Sequence, residues 1–262
     1  MNISPSEKVK VDIQGHTAVI TIDNPAANTW DTESLPALKA VVEALNATKS
    51  VYALVLTGAG SKFFSAGADL KLFADGSPDT ARTMADAFGE AFEALADFRG
   101  VSIAAINGFA MGGGLEVAMA CDIRIVETQA LLALPEAKVG LLPCAGGTQR
   151  LTQLVGEGWA KRIILCGERV SAEKAQQIGL VEEVVATGEA LTAALALAAQ
   201  VGNQSPTSVT ACKELIHAAR DIGIASALPA EREAFVALFH TEDQREGVNA
   251  FLEKRVAEWK NA

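Results

Sequence analysis

Short apolar strands that alternate with helical segments constrain the fold of this chain more than any other feature. The runs "VYALVL" (51–56) and "VSIAAI" (101–106) are apolar at almost every position, and turn residues follow each of them. Strands of this kind are typical of a parallel sheet that is covered on both faces. The first 140 residues therefore predict an α/β fold.

The rest of the chain completes this pattern. The further predicted elements are a hairpin over 8–23 with its turn at Gly15-His16, a helix over about 32–47 capped by Asp31 and Ser34, a helix over 79–98, and strands at "IRIVE" and "ALLAL". From residue 191 onward the pattern indicates only helices and turns. We expect a core over residues 1–200 and a helical C-terminal region over 201–262.

The charge balance excludes several classes of partner. The chain has 22 Lys and Arg against 32 Asp and Glu, a net charge of -10, so it has no general attraction for nucleic acid or for an anionic membrane. Neither a signal peptide nor an apolar run long enough to span a bilayer is visible. We expect a cytoplasmic protein that binds neither nucleic acid nor membrane.

The cysteines and histidines do not form a recognisable metal or disulfide pattern. Cys121, Cys144, Cys166 and Cys212 occur singly, and no histidine falls near the candidate carboxylates described below. We expect buried, reduced thiols and no metal. Cys144 lies in a glycine-rich loop, and there another role stays open.

Two glycine-bearing turns are candidates for a binding site. Gly112 to Gly114 stand at the start of an apolar helix, where they expose backbone N–H groups. In "SAGADL" (65–70), Gly67 permits a sharp bend, Asp69 can cap a following helix, and the N–H of Ala68 would point outward. Together the turns could form a two-pronged oxyanion hole, and a role in packing alone is the alternative.

Two glutamates are candidates for acid and base work. Glu116 lies on the apolar helix that follows the glycines, and Glu136 follows Pro135 after a predicted strand. Burial raises a carboxyl pKa and a helix N-terminus lowers it, a balance that suits proton transfer near neutral pH. The alternative is that Glu116 caps its own helix and that Glu136 is exposed.

The chain has no G-x-S-x-G elbow, which excludes a typical serine hydrolase.

Several longer motifs carry a resemblance to a known family. With "VITIDNP", "LVLTGAGSKFFSAGADL", "AAINGFAMGGGLEVAMACDIRI", "LPEAKVGLLPCAGGTQRL" and "EGVNAFLEKR", the chain resembles the enoyl-CoA hydratase/isomerase, or crotonase, family. The resemblance implies a crotonase-like spiral of repeated β-β-α units. It also implies that the C-terminal helices mediate trimerisation, and that trimers can pair as hexamers.

The resemblance also assigns roles to residues of this chain. The backbone N–H groups of Ala68 and Gly113 would hold the thioester oxygen, and Glu116 and Glu136 would act together on one water. Lys254 would reach coenzyme A phosphates, in some cases those bound to a neighbouring subunit. The loop that would line the coenzyme A site, with adenine read near its first residue, consists of Ala66, Gly67, Ala68, Asp69 and Leu70.

The expected activity is that of an enoyl-CoA hydratase, which adds water across a trans-2-enoyl-CoA to give 3-hydroxyacyl-CoA, as in fatty acid beta-oxidation. Coenzyme A is part of this substrate, and no separate cofactor is expected. The alternatives are an isomerase or another acyl-CoA enzyme of the family, and a noncatalytic CoA- or RNA-binding protein.

Two residues depart from the family pattern: Cys144 replaces a commoner glycine, and Trp30 stands where smaller residues are common. Residues 73–92 and C-terminal residues are expected to bound the acyl pocket.

Overall fold

The computed structural model describes residues 3–220 and 222–262. In these ranges the strands are β1 (Val9–Gln14), β2 (Thr17–Ile22), β3 (Ala53–Gly58), β4 (Phe63–Ser65), β5 (Val101–Ile106), β6 (Phe109–Met111), β7 (Ile123–Glu127), β8 (Leu131–Ala133), β9 (Val170–Ser171) and β10 (Glu183–Val185). The α-helices are α1 (Ser34–Ala47), α2 (Pro78–Ala96), α3 (Gly113–Ala120), α4 (Gly147–Leu165), α5 (Ala172–Gln177), α6 (Ala190–Gly202), α7 (Pro206–Ala218), α8 (Ile224–Leu238) and α9 (Glu242–Glu253).

The larger sheet has six strands in the order β1-β2-β3-β5-β7-β10. β1 and β2 form the predicted antiparallel hairpin, and every other pair in this sheet is parallel. Asp31 caps the start of α1, because its Oδ1 accepts hydrogen bonds from the N–H groups of Glu33 and Ser34. The parallel α/β core predicted from the apolar runs is confirmed.

The smaller sheet, in the order β4-β6-β8-β9, explains the winding of the chain. Each of the pairs β3 with β4, β5 with β6, and β7 with β8 sends its first strand to the large sheet and its second to the small sheet. α2, α3 and a 3₁₀ turn at Glu136–Val139 follow the three pairs in turn. This repeat is the crotonase-like spiral of β-β-α units. The sequence did not predict β4 and β6, because each has only three residues and lies in a segment rich in turn residues.

Both faces of the large sheet are covered by apolar side chains. Alternate residues of β3 and β5, such as Val55 and Ile103, pack in one cluster with Ala190, Ala194 and Ala198 of α6. Leu54 and the other residues in between pack in the main cluster, on the opposite face with α1, α2 and α3. Because strand side chains alternate between faces, continuous apolar runs are required when both faces are covered.

The C-terminal region consists of helices and turns, as predicted. α6 ends at Gly202 and packs on the large sheet, so the proposed division at residue 200 lies within its last turn. That division stays a prediction. Among the residues that the structure describes, no helix has both the length and the hydropathy needed to cross a membrane.

The expectation that all the cysteines are buried is wrong. All of them are free thiols, but only Cys121 is buried, at the end of α3. Cys166 follows the last residue of α4, and Cys212 lies on a face of α7 that is exposed in the chain. Cys144 is also exposed and lines the cavity described below.

Candidate functional site

A cavity of about 590 Å³ opens beside the turns that follow β4 and β6. Most of the residues predicted for the site line it: Ala66, Ala68, Asp69, Leu70, Gly113, Glu116 and Glu136. Gly67 and Lys254 are not among its lining residues. The small parallel sheet is the reason that these separate motifs meet, since β4 and β6 are neighbours in it.

The two glycine-bearing turns touch each other. Gly67 has φ +87, and a Cβ there would lie 2.7 Å from the carbonyl oxygen of Met111 and 3.0 Å from the backbone nitrogen of Gly113. No side chain fits that gap, and an L-residue rarely adopts this φ. Glycine at position 67 therefore lets the first turn approach the N-terminus of α3.

The N–H groups of Ala68 and Gly113 are free to bind another molecule. Trp30 donates to the carbonyl oxygen of Gly67 at 2.8 Å and accepts from the N–H of Asp69 at 3.0 Å. This bridge leaves the N–H of Ala68 pointing away from Trp30. Gly113 is the first residue of α3 and so has no partner within the helix. Within residues 3–220 and 222–262, neither N–H has a hydrogen-bond acceptor.

Glu116 is held in the cavity by a neighbouring loop. Its side chain is 2% exposed, and Oε1 accepts hydrogen bonds from the N–H groups of Ala145 at 2.8 Å and Gly147 at 2.9 Å. The alternative that Glu116 caps its own helix is therefore wrong. Burial raises the pKa of this carboxyl, and the two N–H groups and the positive charge of Arg150 act against that rise.

Glu136 has less polar support. Among the described residues, neither of its buried carboxylate oxygens has a hydrogen-bond partner. A Cβ at Gly112 would lie 3.1 Å from Oε1, so this carboxylate stands beside the turn that presents the N–H of Gly113. Burial, and then the nearby charge of Glu116, raise the pKa of Glu136 to about 7. The alternative of an exposed Glu136 is therefore wrong.

An apolar wall completes the cavity. Phe73 and Phe88 line it, as expected for the segment 73–92, and no residue beyond Arg169 is among its lining residues in the described chain. A further lining segment, which the sequence did not predict, follows Glu136, and its exposed lining side chains are Val139, Leu141 and Leu142. Three apolar residues around a glycine, in "VGLL", were the available signal.

Three further residues singled out in the sequence have different positions. Trp30 is fully buried and packs edge-on against Phe92, so it anchors the loop that carries Ala68. Cys144 lines the cavity, and the partial desolvation of its thiol there, together with the negative charges of the two glutamates, raises the pKa of that thiol to about 11. Lys254 ends α9 with φ 57, away from the cavity lining, so its contact with coenzyme A stays a prediction.

The comparison with known sequences gives a consistent result. Residues 12–262 match the family described as enoyl-CoA hydratase/isomerase. The short-chain-enoyl-CoA hydratase of Clostridium acetobutylicum is 38% identical over 251 residues, covering 95% of this chain and 96% of that protein. The 2,3-dehydroadipyl-CoA hydratase of Escherichia coli is 37% identical over 251 residues, covering 95% and 97%.

Solved structures show the same fold. The structure of Pseudomonas aeruginosa DspI has a TM-score of 0.95 with 64% identity, and the match covers 97% of each chain. The enoyl-CoA hydratase from Bacillus anthracis has a TM-score of 0.94 with 35% identity over 98% of this chain and 100% of that one. The chain belongs to the enoyl-CoA hydratase/isomerase family.

Proposed function

We propose that this protein is an enoyl-CoA hydratase that adds water to trans-2-enoyl-CoA thioesters. The observation that carries the proposal is the cavity itself, where the buried Glu116 and the half-buried Glu136, whose carboxylate oxygens are buried, share one space with the free N–H groups of Ala68 and Gly113. The hydratase names of the two relatives above support the same class of reaction.

The two N–H groups would bind the thioester carbonyl oxygen. When a water oxygen adds to C3, negative charge moves through the conjugated system onto that oxygen. Donors that are already aimed at it need no reorganisation during the reaction, and each can lower the barrier by about 3 kcal/mol. The contact between the turns at Gly67 and Gly113 keeps such a pair of donors together.

The glutamates would divide the proton transfers. Glu116, ionised and held by two N–H groups, takes a proton from the attacking water, whose oxygen forms the bond to C3. Glu136, with a pKa of about 7, carries the proton that goes to C2. The product is 3-hydroxyacyl-CoA, and a proton passed from Glu116 to Glu136 restores the starting state. Carboxyl groups whose surroundings differ in this way are typical acid–base pairs.

Charge at the cavity supports binding of an anionic acyl-CoA. Lys71, Lys138 and Arg169 line it in a chain whose net charge is -10. These cationic side chains would attract the phosphate groups of coenzyme A, although the chain as a whole is acidic. Apart from the substrate we propose no cofactor, and a cytoplasmic location stays a prediction.

The test is hydration of crotonyl-CoA and longer 2-enoyl-CoAs, followed by the loss of absorbance of the conjugated thioester. Glu116→Gln and Glu136→Gln should each lower kcat by about 10²- to 10⁴-fold, because each removes one proton-transfer group. Glu157→Gln, on the exposed face of α4, is the matched control and should keep parental rates. Parental kcat in both cavity variants would disprove these roles.

The same protein preparation can be used to test two alternative functions. An isomerase would convert a 3-enoyl-CoA to a 2-enoyl-CoA, and product analysis after that incubation separates it from a hydratase. A noncatalytic RNA-binding protein would be retained on RNA at physiological salt and would turn over no acyl-CoA.

We also propose self-association as a trimer, or as a hexamer of paired trimers. The support is a set of large apolar side chains on the C-terminal helices that remain exposed in the single chain: Ile216, Ile224, Phe235, Val236, Phe239, Phe251 and Leu252. Monomeric proteins rarely leave so many apolar groups in contact with water in one region.

A further inference from the structure

The side chain of Arg150 folds back over the loop that precedes its own helix. Arg150 lies in the first turn of α4, and its Nη1 donates a hydrogen bond to the carbonyl oxygen of Ala145 at 3.0 Å. A Cβ at Gly146, which has φ +93, would lie 2.6 Å from this Nη1. Glycine at position 146 suits this φ and leaves room for the guanidinium over the loop.

The same loop holds the proposed catalytic base. The N–H groups of Ala145 and Gly147 both donate to Oε1 of Glu116. A Cβ at Gly147 would lie 2.8 Å from that oxygen, so the loop and the carboxylate are in close contact. Arg150 thus binds the segment 145–147 through a carbonyl, and the segment binds Glu116 through its N–H groups.

The charge of Arg150 is not used in an ion pair. Within residues 3–220 and 222–262, no carboxylate oxygen lies within salt-bridge distance of its guanidinium. Desolvation and the positive charge of Arg220 both lower its pKa, and Glu116 and Glu93 act in the opposite direction. The guanidinium remains a cation, since an arginine pKa lies far above neutrality.

We propose that Arg150 is a positioning residue, which holds the loop 145–147 against Glu116 and whose charge favours the ionised form of that carboxylate, the form that accepts a proton from water. The inference rests on the proposed hydratase function. Arg150 itself is not among the residues that line the cavity, so it acts through the loop and through its field rather than on the substrate.

The direction of the expected pH effect follows from the charges. A positive charge near a carboxylate lowers its pKa, so loss of Arg150 should raise the pKa of Glu116. A carboxylate acts as a general base only when it is ionised. In the profile of kcat/KM against pH, the acidic limb should therefore move to higher pH in the variant. The other titratable groups that face this pair are Glu136 and Cys144 near Glu116, and Glu93, Cys121 and Arg220 near Arg150.

The first experiment compares Arg150→Gln, Arg150→Lys and Arg162→Gln. Arg162 lies further along α4 and pairs with Glu168 at the surface, so its variant controls for the loss of an arginine from this helix. We expect Arg150→Gln to lower kcat about 10- to 100-fold with little change in KM, and to move the acidic limb up by about one pH unit. Arg150→Lys keeps the charge and should restore most of the limb position.

The second experiment measures the Glu116 carboxyl directly, without substrate. Carboxyl ¹³C resonances of labelled glutamate are followed against pH, and Glu116→Gln identifies the resonance. The inference predicts a higher titration midpoint for Glu116 in Arg150→Gln than in the parent, and no change in Arg162→Gln. An unchanged midpoint in Arg150→Gln, or a limb that shifts equally in Arg150→Lys, overturns it.

The two readouts separate this inference from the proposed function. A shifted midpoint in a protein that hydrates no enoyl-CoA would support the role of Arg150 while disproving the hydratase. Hydratase activity with the parental limb and midpoint in Arg150→Gln would support the hydratase while overturning the inference. If Arg150→Gln does not fold, Arg150→Met carries the same test.

Discussion

Glu116 and Glu136 share a cavity but have different polar surroundings. Two N–H groups donate to Glu116, whereas neither carboxylate oxygen of Glu136 has a partner among the described residues. Hydrogen bonds to a carboxylate favour its charged form, and burial without them favours the neutral form. The difference supports the base role for Glu116 and the acid role for Glu136 that we propose.

Glu136→Gln should stabilise the protein at alkaline pH. The pKa of Glu136 rises from 4.5 to about 7, so the folded state binds more protons than the unfolded state between these values. Stability from this group is therefore present at low pH and is lost as pH rises through about 7. We expect the variant to gain about 1–2 kcal/mol in free energy of unfolding at pH 8. This figure is smaller than the full pKa shift would give, because Glu136 is partly exposed to solvent.

Urea unfolding at pH 5 and at pH 8 provides the measurement. At pH 5 the parent keeps most of its Glu136 protonated, so the two proteins should unfold at similar urea concentrations. A gain of equal size at both pH values would show that packing, rather than charge, separates them. Glu157→Gln, at the exposed surface, should leave the urea midpoint close to that of the parent at either pH.

Single residues were predictable where their type is unusual for its surroundings. A glutamate on an apolar helix and glycines in a row are visible in the sequence, and they led to Glu116 and to Gly113. Arg150 gave no such signal, and Trp30 stood out only by its size, which did not indicate its role. Their roles depend on a carbonyl at 3.0 Å and on a backbone bridge, which only the folded chain brings together.

Elements were predictable where they lie in an unbroken apolar run. β3 and β5 have six residues each and an unbroken apolar pattern, whereas β4 and β6 have three and lie in segments rich in turn residues. Such short strands exist because the spiral places them side by side, and no local preference of their residues dictates it. The parallel layer that joins the two glycine-bearing turns consists of these short strands.

Gly67→Ala should damage the site at the level of these turns. The new Cβ would approach the carbonyl oxygen of Met111 to 2.7 Å at a φ of +87, so the turns must separate. We expect a loss of about 2–4 kcal/mol in free energy of unfolding, together with a loss of most hydratase activity as the donors of Ala68 and Gly113 move apart.

Gly89→Ala is the matched control for that substitution. Gly89 lies inside α2, where a Cβ would meet only Glu93 Oε1 at an ordinary 3.6 Å. Alanine is the better helix former, so this variant should gain about 0.5–1 kcal/mol and keep its activity. Thermal unfolding and the crotonyl-CoA assay measure both variants, and a Gly67→Ala protein as active as the parent would disprove the need for close turns.

At the scale of the whole molecule, the apolar surface is unevenly distributed. The two sides of the large sheet are covered within the chain by α6 and by α1 to α3. α9 instead leaves Phe251 at 83% and Leu252 at 72% exposure, close in sequence to Lys254. The sequence pattern predicted these helices but not which of their apolar residues stay exposed, because the exposure of a side chain depends on how the helices pack in the folded chain.

Phe251→Asp should therefore weaken self-association and coenzyme A binding together. A charge placed on an apolar face that a second subunit covers opposes assembly, so sedimentation should show a shift from trimer or hexamer toward monomer. If Lys254 binds the coenzyme A of a neighbouring subunit, the KM for enoyl-CoA should rise about threefold to tenfold. The same rise is expected in Lys254→Ala, in which assembly is retained.

Ile13→Asp, on the N-terminal hairpin, is the control and should alter neither self-association nor KM. A monomeric Phe251→Asp protein with parental KM would place the phosphate contacts within a single chain, at the cavity cations Lys71, Lys138 and Arg169.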